Sequence, residues 1–464
     1  MRHPGLFRGL RHGLTALAAA GLVLSPVSAA LAQDDDQISI IRDTEIERTL
    51  HEEMDPIFVA AGLDPKAVRI NLVSSREVQA FAAGGQQIFV YSGLILQATT
   101  PNELIGVLAH ETGHIAGAHL ARAGDMEHAA IGTMLVSVGL GILTALAGAP
   151  SAGASLIFSS GFFGELNALG YSREQESRAD QAAATYLERA GVSGRGLVAF
   201  MNYFRYQEVF DDSKKYPYFR SHPLSDDRIE ALAVRVKQQP HYDQIDSPHA
   251  IAAFEVMKAK LEGFIDGAGQ VAEDYPDSDQ SFPARYARAI SLYRQIEPDA
   301  ALKAVDGLLA EQPNNPYLWE LEGQIDFDSG RTRAAEIAHG RSVEIDPDAP
   351  LLRINHAQAL VALGDPASLD AAILDLRRSL AAEPDSPLAW RLLSEAYDGK
   401  NDPGMARLAA AEQNFYLGQL LEARTFAFNA RKLFEKGTPQ WRRATDIILA
   451  SKPTPEQLKA LGGG

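Results

Sequence analysis

The sequence of 464 residues contains no cysteine. Disulfide bonds, thiolate metal sites, thiol nucleophiles and a lipid anchor on an N-terminal cysteine are therefore excluded. The sequence also lacks a concentrated basic patch, and its 43 Lys and Arg stand against 60 Asp and Glu, which gives a formal charge of −17. We expect no nucleic-acid partner for such an acidic chain. Metal or acid–base chemistry must use His, Asp and Glu.

Acidic residues are missing from the first 32 residues, which carry three arginines and then an apolar run from Leu14 to Leu24. Small residues follow and end in the A-x-A pattern Ala30-Leu31-Ala32. This order predicts a cleaved secretory signal peptide over residues 1–32; the alternative is an uncleaved membrane anchor. Because no cysteine is available for lipid attachment, we predict a soluble protein of the bacterial periplasm.

The sharpest chemical signal is the sequence HETGH, which runs from His110 to His114. It lies in a predicted helix from the N-cap Asn102 through Ala121. Residues at positions i and i+4 share one helical face, so both imidazoles can reach one metal ion. Glu111 then lies beside the open coordination position of the metal. This pattern is typical of the two-histidine helix of a zinc peptidase.

A catalytic zinc ion usually takes three protein ligands, and the third must come from elsewhere because Leu120 stands where a longer motif would place a histidine. The best source is the helical segment Ser172 to Asp180. There Glu176 and Asp180 are again an i, i+4 pair, so one can bind the metal while the other accepts the spare N–H of a ligand imidazole. Glu174 is a weaker competitor.

These residues resemble the M48 zinc metallopeptidases, and in particular the periplasmic members that carry C-terminal tetratricopeptide repeats. HETGH matches the HExxH motif of the family, and Glu176 to Asp180, ESRAD, matches its ExxAD motif. The resemblance implies one zinc ion per chain, held by His110, His114 and Glu176. It also implies that Asp180 supports a ligand imidazole and that Glu111 is the catalytic base.

Two further segments extend the resemblance. Ser221-His222-Pro223-Leu224 with Arg228-Ile229 is similar to a later HP…RI element, which implies that His222 approaches the metal and holds the enzyme latent. We also consider His222 or Arg228 as support for a developing oxyanion. The segment AFAAGGQQIFVYSGL is similar to the edge strand of the family, although Gln79 stands where Asn is frequent. We predict that substrate pairs with this strand near Gln86, Ile88 and Val90.

Residues 129–164 contain no charged side chain, although Gly and Pro150 interrupt them. Their hydropathy alone would predict a transmembrane helix. An odd number of crossings would place His114 and Glu176 on opposite sides of a bilayer, and two full spans need about 40 residues plus a turn. We therefore favour an apolar helical hairpin that forms a lid over the active site or touches a membrane surface, with membrane insertion as the alternative.

The second half of the chain has a repeating helical pattern. Pro316, Pro350 and Pro387 open similar segments that are 34 and then 37 residues apart. This period resembles tetratricopeptide repeats, and the alternative is an irregular helical bundle. Stacked helix pairs would form a curved array that can hold a partner. We predict a mainly α protein: a zincin-like peptidase domain with a small β-sheet over residues 33–240, and an α-solenoid over residues 241–464.

These predictions lead to a metalloendopeptidase of the cell envelope. Its expected substrates are unfolded or misassembled periplasmic and outer-membrane proteins, because main-chain pairing with an edge strand does not depend on specific side chains. The repeats would recruit these substrates or the outer-membrane assembly machinery. The alternative function is that of a chaperone or scaffold for outer-membrane protein assembly, with a latent metal site.

Overall fold

The computed structural model describes residues 39–84, 86–118, 172–205 and 218–451. All of them lie in Gln37–Gly464, the larger of two compact units into which the chain divides. The predicted signal peptide, residues 1–32, and the predicted apolar hairpin, residues 129–164, lie outside the described residues. Both stay predictions from the sequence.

Four short strands form one mixed sheet. The strands are β1 (Ser39–Ile41), β2 (Arg69–Ser74), β3 (Ala80–Ala83) and β4 (Gln87–Tyr91). Their order across the sheet is β1-β2-β4-β3, with β4 parallel to β2 and antiparallel to β3. β4 therefore has a strand on each side, and β3 is a sheet edge within the described part of the chain.

The prediction that Gln86, Ile88 and Val90 form the substrate edge strand is wrong. Ile88 and Val90 lie in β4, where they pair with β2 on one side and β3 on the other. Gln86 lies in the turn that precedes β4. The predicted segment thus contains two strands, and the first of them, β3, is at the edge of the sheet within the described residues.

Seven α-helices surround this sheet in the described residues up to 237. They are α1 (Thr44–Ala60), α2 (Ser92–Gln97), α3 (Pro101–Ala116), α4 (Arg173–Arg189), α5 (Arg195–Arg205), α6 (Tyr218–Ser221) and α7 (Asp226–Lys237), with a short 3-10 helix at Pro65–Ala67. Apolar side chains from α1, α3, α4, α5 and α7 share one core with side chains of β2 and β4. This core holds α3 rigidly at the centre of the domain.

Helix α3 begins two residues earlier than predicted. Thr100 is the N-cap, since its hydroxyl accepts a hydrogen bond from the backbone N–H of Glu103, and Pro101 occupies the first turn. Asn102, the predicted N-cap, instead donates to the carbonyl oxygen of Ser193 at 2.8 Å and accepts from the N–H of Gly196 at 2.7 Å. The amide of Asn102 thus joins the start of α3 to the start of α5.

Twelve further helices follow in the described part of the chain. They are α8 (Pro248–Ile265), α9 (Ala268–Asp274), α10 (Phe282–Arg294), α11 (Pro298–Glu311), α12 (Pro316–Asp328), α13 (Thr332–Ile345), α14 (Pro350–Leu363), α15 (Pro366–Ala382), α16 (Pro387–Gly399), α17 (Pro403–Tyr416), α18 (Leu420–Arg431) and α19 (Pro439–Ala450). They form a stacked run of paired helices, and the predicted fold class is confirmed. Among the described residues, no helix is long and apolar enough to cross a membrane.

The same hydrogen bond recurs in three helix pairs. It joins the first helix of each pair to the turn that precedes this helix. The side chains of Trp319, Arg353 and Trp390 donate to the carbonyl oxygens of the prolines six residues earlier, at 2.9, 2.7 and 2.8 Å. The wider second interval comes from α15, which has 17 residues where the equivalent helix α13 has 14. The repeat geometry is therefore kept while one helix is longer.

The helical array contacts the peptidase part directly. Helix α8 contributes Phe254, Met257 and Leu261 to the core that surrounds α3. Three arginines of the peptidase part form ion pairs with acidic residues in turns of the array: Arg42 with Glu383 at 2.9 Å, Arg48 with Asp346 at 2.5 Å and Arg69 with Asp385 at 2.5 Å. The predicted domain boundary at residue 240 stays a prediction.

Candidate metal centre

Helix α3 presents the two imidazoles of HETGH side by side. The Nε2 atoms of His110 and His114 are 3.1 Å apart, and both side chains are fully buried. Two buried imidazole nitrogens at this distance must share a proton or a cation. Otherwise two lone pairs, or two N–H donors, would face each other without water.

Helix α4 supplies the carboxylates, and a close backbone approach brings it to α3. Gly113 has no side chain, and a Cβ at this position would lie 2.9 Å from the carbonyl oxygen of Ala179. Glu176 Oε1 lies 3.3 Å from Nε2 of His114, and Glu176 Oε2 lies 3.5 Å from Nε2 of His110. Gly113, the second variable residue of the HExxH pattern, therefore sets the distance between the two helices.

A third imidazole completes the cluster from the segment after α6. Nδ1 of His222 lies 3.3 Å from Nε2 of His110 and 3.0 Å from Oε1 of Glu176. One ligand atom each from His110, His114, Glu176 and His222 therefore lies within 4.8 Å of every other, and all four side chains are buried. The ring of Tyr218 stacks on His222, with the ring centroids 4.5 Å apart.

The donor set and its dimensions fit a zinc ion. Zinc prefers imidazole nitrogen and carboxylate oxygen at about 2.0–2.1 Å, so neighbouring ligand atoms of a tetrahedral site lie roughly 3.3 Å apart. The shortest contacts among the four side chains fall between 3.0 and 3.3 Å. Three of the four residues, His110, His114 and Glu176, are those that the sequence predicts as ligands.

Electrostatics favour a positive charge at the same point. Burial lowers the pKa of His110, but hydrogen bonds to Asp180 and Glu176 outweigh burial and raise it to about 10. Burial lowers the pKa of His114 to about 3. The neighbouring imidazoles hold the pKa of the Glu176 carboxyl far below its usual range, against the effect of burial. A cation at this centre would replace the proton that His110 otherwise carries.

Asp180 lies behind the cluster, next to His110. Its Oδ1 is 2.9 Å from Nδ1 of His110, the ring nitrogen that points away from His114. A carboxylate at Nδ1 fixes the tautomer of the imidazole and leaves Nε2 available to a metal. The spacing alone left the roles of Glu176 and Asp180 open, and the family resemblance implied that Glu176 is the ligand. In the structure Glu176 faces the imidazole pair.

The geometry does not support an oxyanion role for Arg228. Its Nε and Nη2 donate to the two oxygens of Asp180 at 2.8 and 2.9 Å, and Nη2 also lies 2.9 Å from Oε2 of Glu176. Nη1 donates to the carbonyl oxygen of Pro223 at 2.5 Å. The guanidinium therefore holds the two carboxylates of α4 and the segment that carries His222 in place.

Glu111 lies between the cluster and the edge strand. Its Oε2 accepts a hydrogen bond from the backbone N–H of Ala82 at 3.1 Å, and its Oε1 is 3.6 Å from Nε2 of His222. Burial raises the pKa of the Glu111 carboxyl, as a group that takes and returns a proton requires. Sequence reasoning missed the Ala82 contact because it chose the neighbouring strand, and it also missed Tyr218. The one available signal was that Tyr218 precedes His222 by a helical turn.

The chain is similar to known peptidases. Residues 43–236 match peptidase family M48. The chain is 28% identical over 366 residues to the beta-barrel assembly-enhancing protease of Yersinia pestis, covering 76% of this chain and 72% of that protein. It is 27% identical over 401 residues to the protein of the same name from Escherichia coli strain K12, covering 84% and 79%. The metalloprotease YcaL of the same strain is 29% identical over 169 residues, 36% of this chain and 62% of YcaL. The first two alignments are too long to be confined to residues 43–236, so they include part of the helical array.

Proposed function

Because its residues 43–236 make this chain a member of peptidase family M48, we propose that it is a zinc-dependent endopeptidase of the bacterial cell envelope. Its substrates are misfolded or misassembled periplasmic and outer-membrane proteins. The observation that carries the proposal is the convergence of His110, His114 and Glu176 on one buried point, with Glu111 beside it. The chain uses one zinc ion.

His110, His114 and Glu176 hold the metal in this proposal. A bound zinc ion supplies a Lewis acid that activates water and polarises the scissile carbonyl. Glu111 takes the proton of the attacking water and passes it to the leaving amine. The raised pKa of Glu111 and the adjacent edge strand support this role, since a base must lie within hydrogen-bond reach of the reacting groups.

The substrate chain lies extended along β3. This strand replaces the predicted strand near Gln86, Ile88 and Val90, since β3 is at the sheet edge within the described residues and its residue Ala82 contacts Glu111. Main-chain pairing with an edge strand requires an unfolded segment and places few demands on side-chain identity. The enzyme would therefore act on chains that have failed to fold.

His222 keeps the resting enzyme latent in this account. Four protein groups around a four-coordinate zinc ion leave no position for water. His222 must therefore withdraw before hydrolysis, and Tyr218 and Pro223 on either side of it would move with it. Its contacts to His110 and Glu176 are the support for this assignment.

The helical array and the N-terminal signal sequence support a location and partners for the enzyme. Two relatives that match most of this chain carry names that refer to β-barrel assembly, and β-barrels of this kind are outer-membrane proteins. We place the mature protein in the periplasm on its N-terminal sequence. The array recruits substrates or the outer-membrane assembly machinery. Residues 129–164 of the peptidase domain are the point at which the enzyme contacts a membrane surface.

Casein degradation by the purified zinc-loaded protein tests the proposed reaction. We expect hydrolysis by the wild type, and none by Glu111→Gln or by the wild type in a chelator. Glu174→Gln is the matched control, because Glu174 lies on α4 with its side chain 75% exposed, outside the cluster. Equal activity of the wild type and Glu111→Gln would contradict the assignment of the base.

A second candidate function is that of a scaffold for outer-membrane protein assembly with a latent metal site. The observation in its favour is the fourth ligand, His222, which closes the cluster in the described conformation. A scaffold would retain its effect on outer-membrane assembly in cells that carry Glu111→Gln. An endopeptidase would lose the degradation of misassembled proteins in the same cells.

A further inference from the structure

Two backbone N–H groups of the edge strand β3 point away from the sheet. In the antiparallel register, Ala80 faces Val90 and Ala82 faces Ile88. Backbone donors alternate in direction along such a strand, so residues two apart present their N–H groups on the same side. The N–H of Tyr91 donates to the carbonyl oxygen of Gln79, so Gln79 faces β4 and the donors of Ala80 and Ala82 face outward.

Both outward donors are occupied by side-chain oxygens. The N–H of Ala80 donates to Oε1 of Gln79 at 3.1 Å, and the N–H of Ala82 donates to Oε2 of Glu111 at 3.1 Å. Gln79 is buried, with 5% of its surface exposed, and Glu111 is fully buried. The two contacts thus lie inside the protein and cover the edge that an incoming strand would use.

We propose that Gln79 and Glu111 cap the substrate edge of the resting protein, and that an extended chain displaces both side chains when it pairs with β3. This inference rests on the proposed peptidase function and deepens it. Gln79 is a positioning residue, because its side chain contacts the main chain of β3. Glu111 has two states: bound to Ala82 when the edge is empty, and released towards the reacting water when the edge is filled.

The caps have a physical purpose. An open edge strand offers unpaired N–H and C=O groups to any other strand, which favours aggregation. A side-chain cap satisfies the donors and still yields to a chain that brings carbonyl oxygens at the same two-residue spacing. Substrate pairing and release of the base are then one event, so Glu111 becomes available only when a chain is in place.

Binding of fluorescein-labelled β-casein to zinc-loaded variants, followed by fluorescence anisotropy, tests the inference. Glu111→Gln is the reference, since it is hydrolytically inactive in our mechanism and its amide oxygen can still accept from Ala82. Glu111→Ala removes one cap, and Glu111→Gln with Gln79→Ala removes the other. Glu111→Gln with Gln87→Ala is the control, because Gln87 lies on β4 and its side chain bonds Asn71 and Gly84.

Each removed cap should tighten casein binding roughly two- to tenfold, the change expected from the loss of one competing hydrogen bond. The Gln87→Ala control should bind like the reference. Unchanged or weaker binding after Gln79→Ala would overturn the inference. Casein hydrolysis by the wild type is measured separately, so a failure of the capping inference is distinguishable from a failure of the proposed function.

Hydrogen exchange gives a second measurement that does not depend on substrate. The Ala82 amide should exchange faster in Glu111→Ala than in Glu111→Gln, and the Ala80 amide should exchange faster after Gln79→Ala. Equal exchange in the capped and uncapped variants would overturn the inference, since the caps would then not protect these donors.

Discussion

Replacement of Asp180 by Asn should weaken zinc binding while leaving every proposed ligand in place. The Asp180 carboxylate is 1% exposed, lies 2.9 Å from Nδ1 of His110, and accepts from Nε and Nη2 of Arg228 at 2.8 and 2.9 Å. Burial would raise the pKa of this carboxyl, but these donors hold it below its usual range, so Asp180 is charged. An amide has one acceptor oxygen and cannot satisfy all three donors.

Loss of a group that orients a ligand imidazole typically costs 10- to 100-fold in metal affinity, or about 1.4–2.8 kcal/mol. We expect that reduction for Asp180→Asn in a competition titration between the protein and a chromophoric zinc chelator. Asp227→Asn is the matched control, since Asp227 is an exposed residue of the first turn of α7. Wild-type zinc affinity in a folded Asp180→Asn variant would refute the role assigned to Asp180.

Three further predictions concern the latent state, the helix contact and the repeats. His222→Ala should raise casein hydrolysis, because it frees the fourth position of the centre; an unchanged or lower rate would contradict the switch. Gly113→Ala should lower zinc content, since its Cβ would lie 2.9 Å from the carbonyl oxygen of Ala179 and push α3 from α4; wild-type zinc content would show that the close approach is dispensable. Burial lowers the pKa of His339 to about 3, below the value of about 6.5 for an unfolded chain. The contribution of the neutral His339 imidazole to the free energy of unfolding is therefore present above pH 6.5 and is lost as the pH falls towards 3. Between pH 7 and pH 5 the wild type should lose about 2 kcal/mol more unfolding free energy in urea than His339→Gln, and an equal loss in both proteins would contradict this.

The candidate metal ligands of α3 and α4, and Asp180 beside them, could be predicted from the sequence because they form two pairs, each within one helix. His110 and His114 are four residues apart, as are Glu176 and Asp180, and helical geometry then places each pair on one face. Which carboxylate reaches the imidazoles depends on the contact between α3 and α4. That contact is set by Gly113 and by the guanidinium of Arg228, which no local pattern shows.

The edge strand could not be assigned from the sequence. β3 and β4 are both apolar and both buried, so the alternation that marks a half-exposed strand is absent. The order of strands depends on pairing between β2 and β4, which are distant in the chain, and residue patterns do not encode that pairing. The pairing of Arg228 with Asp180 escaped prediction for the same reason.

The helix starts of the repeats, in contrast, could be predicted from the sequence. Prolines at the first turns of helices, such as Pro316 and Pro350, are local signals, since proline lacks the N–H that an inner helix position needs. They placed the helix starts correctly. The ion pairs of Arg42, Arg48 and Arg69 with acidic turns of the array could not be foreseen, because they depend on how the array lies against the peptidase part.

Metal analysis of the purified protein tests the central claim most directly, namely that two imidazoles and one carboxylate from separate helices bind a single cation. We predict one zinc ion per chain in the wild type and in Glu174→Ala, and a loss of zinc in Glu176→Ala. A full complement of zinc in a folded Glu176→Ala variant, or a wild type that binds no divalent metal, would contradict the account.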